Sequence, residues 1–156
     1  MTRSPSRQRP AWYAYPAGRV TFIAELRKAG VHAIQTRIDH NDRIHRGGFQ
    51  VDFTLSVTGL PARHVRVVFA GAGAVPSAYA DGPAESPHRY EDTSLCMWYP
   101  WDPETARWTR RDGAAALLGH ITGHLLREEW WRKTGEWIGD EAPHNGGEVG
   151  RLETIT

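Results

Sequence analysis

Residues 49–57, FQVDFTLSV, form the segment that decides the fold. Apolar and polar residues alternate along it without a break, which is the pattern of a half-buried β-strand. The turn signal TGLPA follows at residues 58–62, and ARHVRVVFA at residues 62–70 gives a second strand. Two such runs joined by a short turn predict an antiparallel hairpin.

The segments on either side of this hairpin differ in character. Residues 19–29, RVTFIAELRKA, have apolar residues at helical spacing, and Gly30 supplies a stop, so we predict a short amphipathic helix. Residues 31–39 are compatible with a strand or with a connection. Residues 71–87 are rich in Gly, Ala, Pro and Ser, a composition that predicts a loop.

A long helix is predicted near the C-terminus, from Asp112 as N-cap to about Thr134, with Gly135 closing it. The order is therefore helix, antiparallel strands, long loop and helix. This order predicts an α+β fold in which helices cover one side of an antiparallel sheet of about four strands.

Length and composition narrow the function classes. A chain of 156 residues predicts one domain, which we place at residues 19–145 between a flexible N-terminal arm, 1–18, and a flexible C-terminal tail, 146–156. The net charge of +1 argues against a direct nucleic-acid partner. A single cysteine cannot form an internal disulfide, and the sequence has no long apolar run and no secretory leader. We therefore expect a cytoplasmic protein without a membrane partner.

Cys96 is the only thiol, and it lies in SLCMWYP at residues 94–100. A lone cysteine is often a small apolar core residue. Here, however, it follows a polar turn and precedes a Tyr-Pro reversal, and His88 lies eight residues upstream. A thiolate near a histidine is the usual arrangement of a reactive cysteine. We expect the sulfur at a loop rim, reachable from solvent and near His88 and Tyr90.

Two histidines on the predicted long helix offer an alternative. His120 and His124 share a helix face, and His144, His88 or Cys96 could complete a zinc site. No glutamate follows His120, however, and the metalloprotease pattern needs that glutamate as its base. We therefore expect no metal and no cofactor.

Several short motifs together resemble a known family. They are HRYED at residues 88–92, LCMWYP at 95–100, EWW at 129–131, TGEW at 134–137, and His144. In this order they resemble the ubiquitin-conjugating-enzyme-like protein of bacterial type II CBASS antiphage operons. The resemblance covers about residues 40–146.

The resemblance implies a UBC-like domain with an N-terminal helix, an antiparallel meander, a cysteine-bearing loop and C-terminal helices. It implies that Cys96 takes an acyl group as a thioester and passes it to an amine. The implied acyl donor is the C-terminus of the operon's cGAS-like nucleotidyltransferase. Because 156 residues leave no room for an adenylating domain, either a separate enzyme activates the donor or this chain's activity differs from that of the family.

The resemblance also assigns roles to individual residues. Arg89-Tyr90 stands where eukaryotic members have the Pro-Asn of a His-Pro-Asn motif, whose Asn stabilises the oxyanion. Here Tyr90, Arg89 or a backbone amide near Cys96 could be that donor, and His88 could be structural or a base. Asp92-Thr93-Ser94 lacks the glycine that the family has at its centre. The implied catalytic residues are Cys96, His88 and Tyr90, and the implied substrate-binding residues are Arg89, Trp98 and Tyr99.

Two alternatives stay open at the level of the sequence. One is a non-catalytic UBC-fold module that binds the nucleotidyltransferase without chemistry. The other is a zinc-binding domain that uses His120 and His124.

Overall fold

A computed structural model describes residues 11–39, 48–70, 75–82, 85–98 and 102–139. Within these ranges, two helices flank a run of four strands in the chain. The elements are α1 (Pro16–Lys28), β1 (His32–Asp39), β2 (Gly48–Leu55), β3 (Arg63–Phe69), β4 (Ser77–Ala80) and α2 (Gly113–Thr134).

The four strands form one antiparallel sheet in the order β1-β2-β3-β4. Strands β2 and β3 make the hairpin that their alternation predicted, with Phe53 opposite Val65. Their apolar residues are buried, whereas Asp52 on the other face accepts a hydrogen bond from Arg66 Nε at 3.0 Å. The α+β class and the four-stranded antiparallel sheet are confirmed.

The two edge strands were less clear in the sequence. Residues 32–39 form strand β1, and its pairing register with β2 shifts between His32 and Gln35. β4 lies inside the segment predicted as a loop, and that part of the prediction is wrong. Its buried residues, Ala78 and Ala80, are too small to produce an apolar signal, and the strand forms because β3 supplies a pairing edge.

Helix α2 spans the predicted residues, with Asp112 at its N-cap position and Gly135 after its last turn, but its first turn is capped by a different side chain. Gly135 follows it with φ of 77°, the left-handed conformation typical of a helix-ending glycine, and its N–H donates to Trp131 O at 2.7 Å. The Asp112 carboxylate does not cap α2, because it accepts a hydrogen bond from Thr109 N at 2.7 Å. Instead, Glu25 of α1 accepts the N–H of Ala114 at 3.2 Å.

An aromatic cluster joins the N-terminal residues to the core. The Trp12 ring lies 5.0 Å from that of Phe69, and Tyr13 is 4% exposed. Helix α1 begins at Pro16, inside the stretch predicted as a flexible arm. Residues 11–18 therefore belong to the folded domain, while residues 1–10 lie outside the described residues, as does the tail predicted at 146–156.

Neither helix in the described ranges is long and apolar enough to cross a membrane.

Candidate functional site

Residues 88–96 fold back on themselves as a short hairpin, here called the cysteine hairpin. Cys96 N donates to His88 O at 2.9 Å, and Tyr90 N donates to Ser94 O at 2.9 Å. Arg89 and Leu95 are bridged between these two pairs. The hairpin therefore brings together the three residues that the resemblance named as catalytic.

A strained turn closes the cysteine hairpin. The Asp92 carboxylate accepts hydrogen bonds from Ser94 N at 3.0 Å and from Ser94 Oγ at 2.6 Å. It also accepts one from the Tyr79 hydroxyl of β4 at 2.9 Å. Thr93 has φ of 71°, in the left-handed region that a β-branched residue rarely adopts. It stands at the position where the resembling family has glycine.

Cys96 is 6% exposed, so the prediction of a solvent-reachable sulfur is wrong for this conformation. Burial raises the pKa of the Cys96 thiol, and the interaction with the Tyr90 side chain opposes that rise. The Tyr90 hydroxyl also donates to Trp98 O at 2.9 Å. Because a phenol carries one proton, the Trp98 carbonyl and a Cys96 thiolate compete for the same donor.

His88 is 3% exposed and lies under an aromatic ring. Its ring centroid is 3.9 Å from that of Trp137, with the planes 32° apart. Trp137 follows the Gly135 turn at the end of α2, so the chain leaving the helix returns across the cysteine hairpin. His88 also accepts the Cys96 N–H through its carbonyl, so its backbone positions the cysteine.

Arg89 turns toward α2 and forms an ion pair with Glu128. Arg89 Nε lies 2.9 Å from Glu128 Oε2 and Arg89 Nη2 lies 2.8 Å from Oε1. Each side chain is 3% exposed. The guanidinium lowers the pKa of Glu128 against the raising effect of burial. Arg89 was expected to contact substrate, but its side chain is enclosed and paired.

Strand β4 and the residues after it hold the other side of the cysteine hairpin. Leu95 N donates to Ala78 O at 2.8 Å, and Arg89 Nη1 donates to Ala80 O at 2.7 Å. Gly82 lies against the ion pair, where a Cβ atom would overlap both Arg89 and Glu128. The hairpin is thus fixed to the sheet edge and to α2.

Of the two aromatic residues expected to bind substrate, the structure describes one. Trp98 is 7% exposed, and its ring meets the His120 ring edge-on at 5.1 Å. It therefore joins the segment after Cys96 to α2. Tyr99 lies outside the described residues.

The histidines of α2 do not form a recognisable metal site. His120 is exposed, whereas His124 is 3% exposed and lies 5.2 Å from the Trp137 ring. Burial lowers the pKa of His124 to about 4. In the parts of the chain that the structure describes, no three His, Cys, Asp or Glu residues are grouped closely enough to hold a metal ion. His144 lies outside those parts.

Glu128 is the site residue that sequence reasoning missed. It continues the helical row of Leu117, Ile121 and Leu125, so its position predicts burial. A buried carboxylate needs a partner, and this was the signal that could have pointed to Arg89.

Comparison with known proteins gives one match. Neither the search of curated proteins nor the search of solved structures found a match for the chain. The model of the family described as Type II CBASS E2 protein matches residues 29–145, which include the cysteine hairpin, the sheet and α2. On this match over most of its length, the chain belongs to the type II CBASS E2 protein family.

Proposed function

We propose that this CBASS E2 protein has a UBC-like fold and carries an acyl group on Cys96 as a thioester. Family membership gives it an E2-like role in antiphage defence. The N-terminal helix, the four-stranded antiparallel meander and the long C-terminal helix support the UBC-like assignment. The acyl donor in this proposal is the C-terminal carboxyl group of a cGAS-like nucleotidyltransferase.

The observation that carries the proposal is the pairing of Cys96 with its neighbours in the cysteine hairpin. Cys96 is held opposite His88 by a backbone hydrogen bond, and the Tyr90 side chain lowers the pKa of its thiol. A structural cysteine needs no hydrogen-bond donor at its sulfur. A nucleophilic cysteine does, because its thiolate must be stabilised before it attacks.

Activation precedes two steps at Cys96. An activating enzyme first transfers AMP from ATP to the donor carboxyl group and releases pyrophosphate. The Cys96 thiolate attacks the acyl carbon, the C–S bond forms, and AMP leaves with the electrons of the broken C–O bond. An acceptor amine then attacks the thioester, an amide forms, and the Cys96 thiolate leaves and the amine loses a proton.

Tyr90 is the hydroxyl best placed to assist both steps. Its side chain lowers the pKa of Cys96, and its hydroxyl donates to the Trp98 carbonyl. Released from Trp98, the same proton can stabilise the thiolate or the oxyanion of the tetrahedral intermediate. We assign it the role that the Asn of the His-Pro-Asn motif has in eukaryotic enzymes of the fold.

The conformation described here is closed around the sulfur. Cys96 is 6% exposed, so an acyl carbon cannot reach it without movement of neighbouring side chains. We propose that docking of the activated donor moves these side chains away from the sulfur.

The test is incubation with the nucleotidyltransferase, ATP and the activating enzyme, followed by non-reducing electrophoresis. We expect an adduct that thiol reductant cleaves, and none with Cys96→Ala. Cys96→Ser should give an oxyester that reductant leaves intact. An adduct of wild-type amount on Cys96→Ala would contradict the proposal.

The second candidate is a UBC-fold binding module that acts without chemistry, and the burial of Cys96 favours it. Phage challenge of cells separates the two candidates. The enzyme requires that Cys96→Ala abolish protection, whereas the binding module requires that this variant protect as well as wild type.

A further inference from the structure

The Arg89–Glu128 ion pair is more deeply buried than a stabilising contact needs to be. Both side chains are 3% exposed, and taking two charges out of water is costly. Apolar side chains of similar volume often stabilise a core equally well. A two-pronged guanidinium–carboxylate contact adds a fixed distance and a fixed angle, which apolar contacts do not supply.

We propose that this ion pair is a positioning device for Cys96. Arg89 lies between His88, whose carbonyl accepts the Cys96 N–H, and Tyr90, whose side chain bonds the sulfur. Fixing the Arg89 side chain on α2 therefore fixes both partners of Cys96. The expected effect on acyl transfer rests on the proposed function, while the expected effect on the thiol itself does not.

The other contacts of Arg89 also restrict movement of its side chain. Arg89 Nη1 donates to Ala80 O at 2.7 Å and lies 3.4 Å from Thr93 O. One guanidinium thus joins α2, the end of β4 and the turn of its own hairpin. A shift of Arg89 must break contacts in all three places.

His124 does not replace Arg89 as the charged partner of Glu128. His124 Nε2 lies 3.9 Å from Glu128 Oε2, and it has no hydrogen-bond partner among the described residues. Because burial holds the pKa of His124 at about 4, its ring is neutral near pH 7. The position of the cysteine hairpin therefore depends on Arg89.

The test is the double variant Arg89→Met/Glu128→Leu, which replaces the ion pair by apolar side chains. A single substitution would leave a buried charge unpaired, whereas the double variant should keep a melting temperature close to wild type. Glu128→Gln, which keeps the shape of the carboxylate, serves as a second variant. The rate at which iodoacetamide alkylates Cys96 reports the position of the sulfur.

In the double variant, we expect the rate of Cys96 alkylation to rise and the rate of acyl transfer to fall. Loosening the cysteine hairpin should expose the sulfur and speed alkylation by about tenfold or more. Acyl transfer should slow by about 100-fold in its maximal rate, with little change in KM for the donor, because small misplacements are costly in catalysis. A loss of stability alone would not slow transfer in a variant that melts near the wild-type temperature.

A second ion pair provides the matched control. Arg110 and Glu25 join α1 to the start of α2, with side chains 27% and 31% exposed. Arg110→Met/Glu25→Leu should leave alkylation of Cys96 at the wild-type rate.

The proposal is overturned if the folded Arg89→Met/Glu128→Leu protein is alkylated at the wild-type rate or more slowly. It is also overturned if alkylation speeds up and transfer is unchanged. A wild-type protein that shows no transfer at all refutes the proposed function, and the alkylation result still decides the positioning role.

Discussion

At the scale of single residues, the chemistry of Cys96 depends on two opposing influences. Burial disfavours the thiolate and raises the pKa of Cys96, while the Tyr90 hydrogen bond favours the thiolate. The closed conformation therefore keeps the thiol protonated near neutral pH, with a donor in place to stabilise the thiolate. A protonated thiol is a weaker nucleophile than a thiolate.

Tyr90→Phe should raise the pKa of Cys96 further, because it removes the group that lowers it. The midpoint of alkylation against pH should move upward, and acyl transfer should slow by about 100-fold, as for loss of an oxyanion donor. Tyr79→Phe is the matched control, because the Tyr79 hydroxyl donates to Asp92 instead. An unchanged or lowered midpoint in Tyr90→Phe would contradict the role of the phenol.

Thr93→Gly should stabilise the protein by about 1 kcal/mol, because glycine adopts positive φ without the strain of a β-branched residue. The measurement is the free energy of unfolding in urea. Thr58, which lies in the turn between β2 and β3 and has no positive φ, is the control. Thr58→Gly should lose about 0.5–1 kcal/mol. Equal losses in both variants would show that Thr93 is unstrained.

At the scale of elements, the sequence predicted those strands and helices whose own residues alternate or carry a helix-ending signal. The β2–β3 hairpin and the end of α2 at Gly135 belong to this class. β4 was not predicted, because its alanines favour neither a strand nor burial on their own. The strand forms through its pairing with β3. The start of α2 after Asp112 was predicted, but the side chain that accepts the Ala114 N–H was not, since Glu25 comes from another helix.

Gly82→Ala tests how tightly the cysteine hairpin is held between β4 and α2. The new Cβ would overlap the Arg89–Glu128 pair, so we expect a loss of stability of about 2 kcal/mol. Gly119→Ala on α2 is the control, because nothing lies near its Cβ position and alanine favours helix by about 1 kcal/mol. Thermal unfolding of both variants measures the difference. A Gly82→Ala protein as stable as wild type would show that the ion pair has room to move.

At the scale of the whole molecule, the sequence predicted the fold class and the grouping of Cys96, His88 and Tyr90. It did not predict what surrounds them. The pairing of Arg89 with Glu128 spans 39 positions, and the Trp137 ring reaches His88 only because α2 ends where it does.

The same packing predicts how the molecule responds to acid. His124 has its pKa lowered to about 4 by burial, so the unfolded chain binds a proton between about pH 6.5 and pH 4 that the folded protein does not. Stability should therefore fall through this range as pH falls, by about 3 kcal/mol from this residue. His124→Gln should lose that dependence, whereas His32→Gln, at an exposed site on β1, should keep it. Urea unfolding between pH 7 and pH 4 measures the free energy of unfolding. A pH profile of His124→Gln parallel to that of wild type would contradict this prediction.

The proposed function requires Cys96 to carry the C-terminal acyl group of a cGAS-like nucleotidyltransferase. The most direct measurement is peptide mass spectrometry of the adduct formed with ATP, the activating enzyme and the nucleotidyltransferase. We predict a branched peptide in which the terminal carboxyl carbon of the nucleotidyltransferase is bonded to the sulfur of Cys96. A nucleotidyltransferase that stays associated with the protein while the Cys96 peptide is recovered unmodified would contradict the claim.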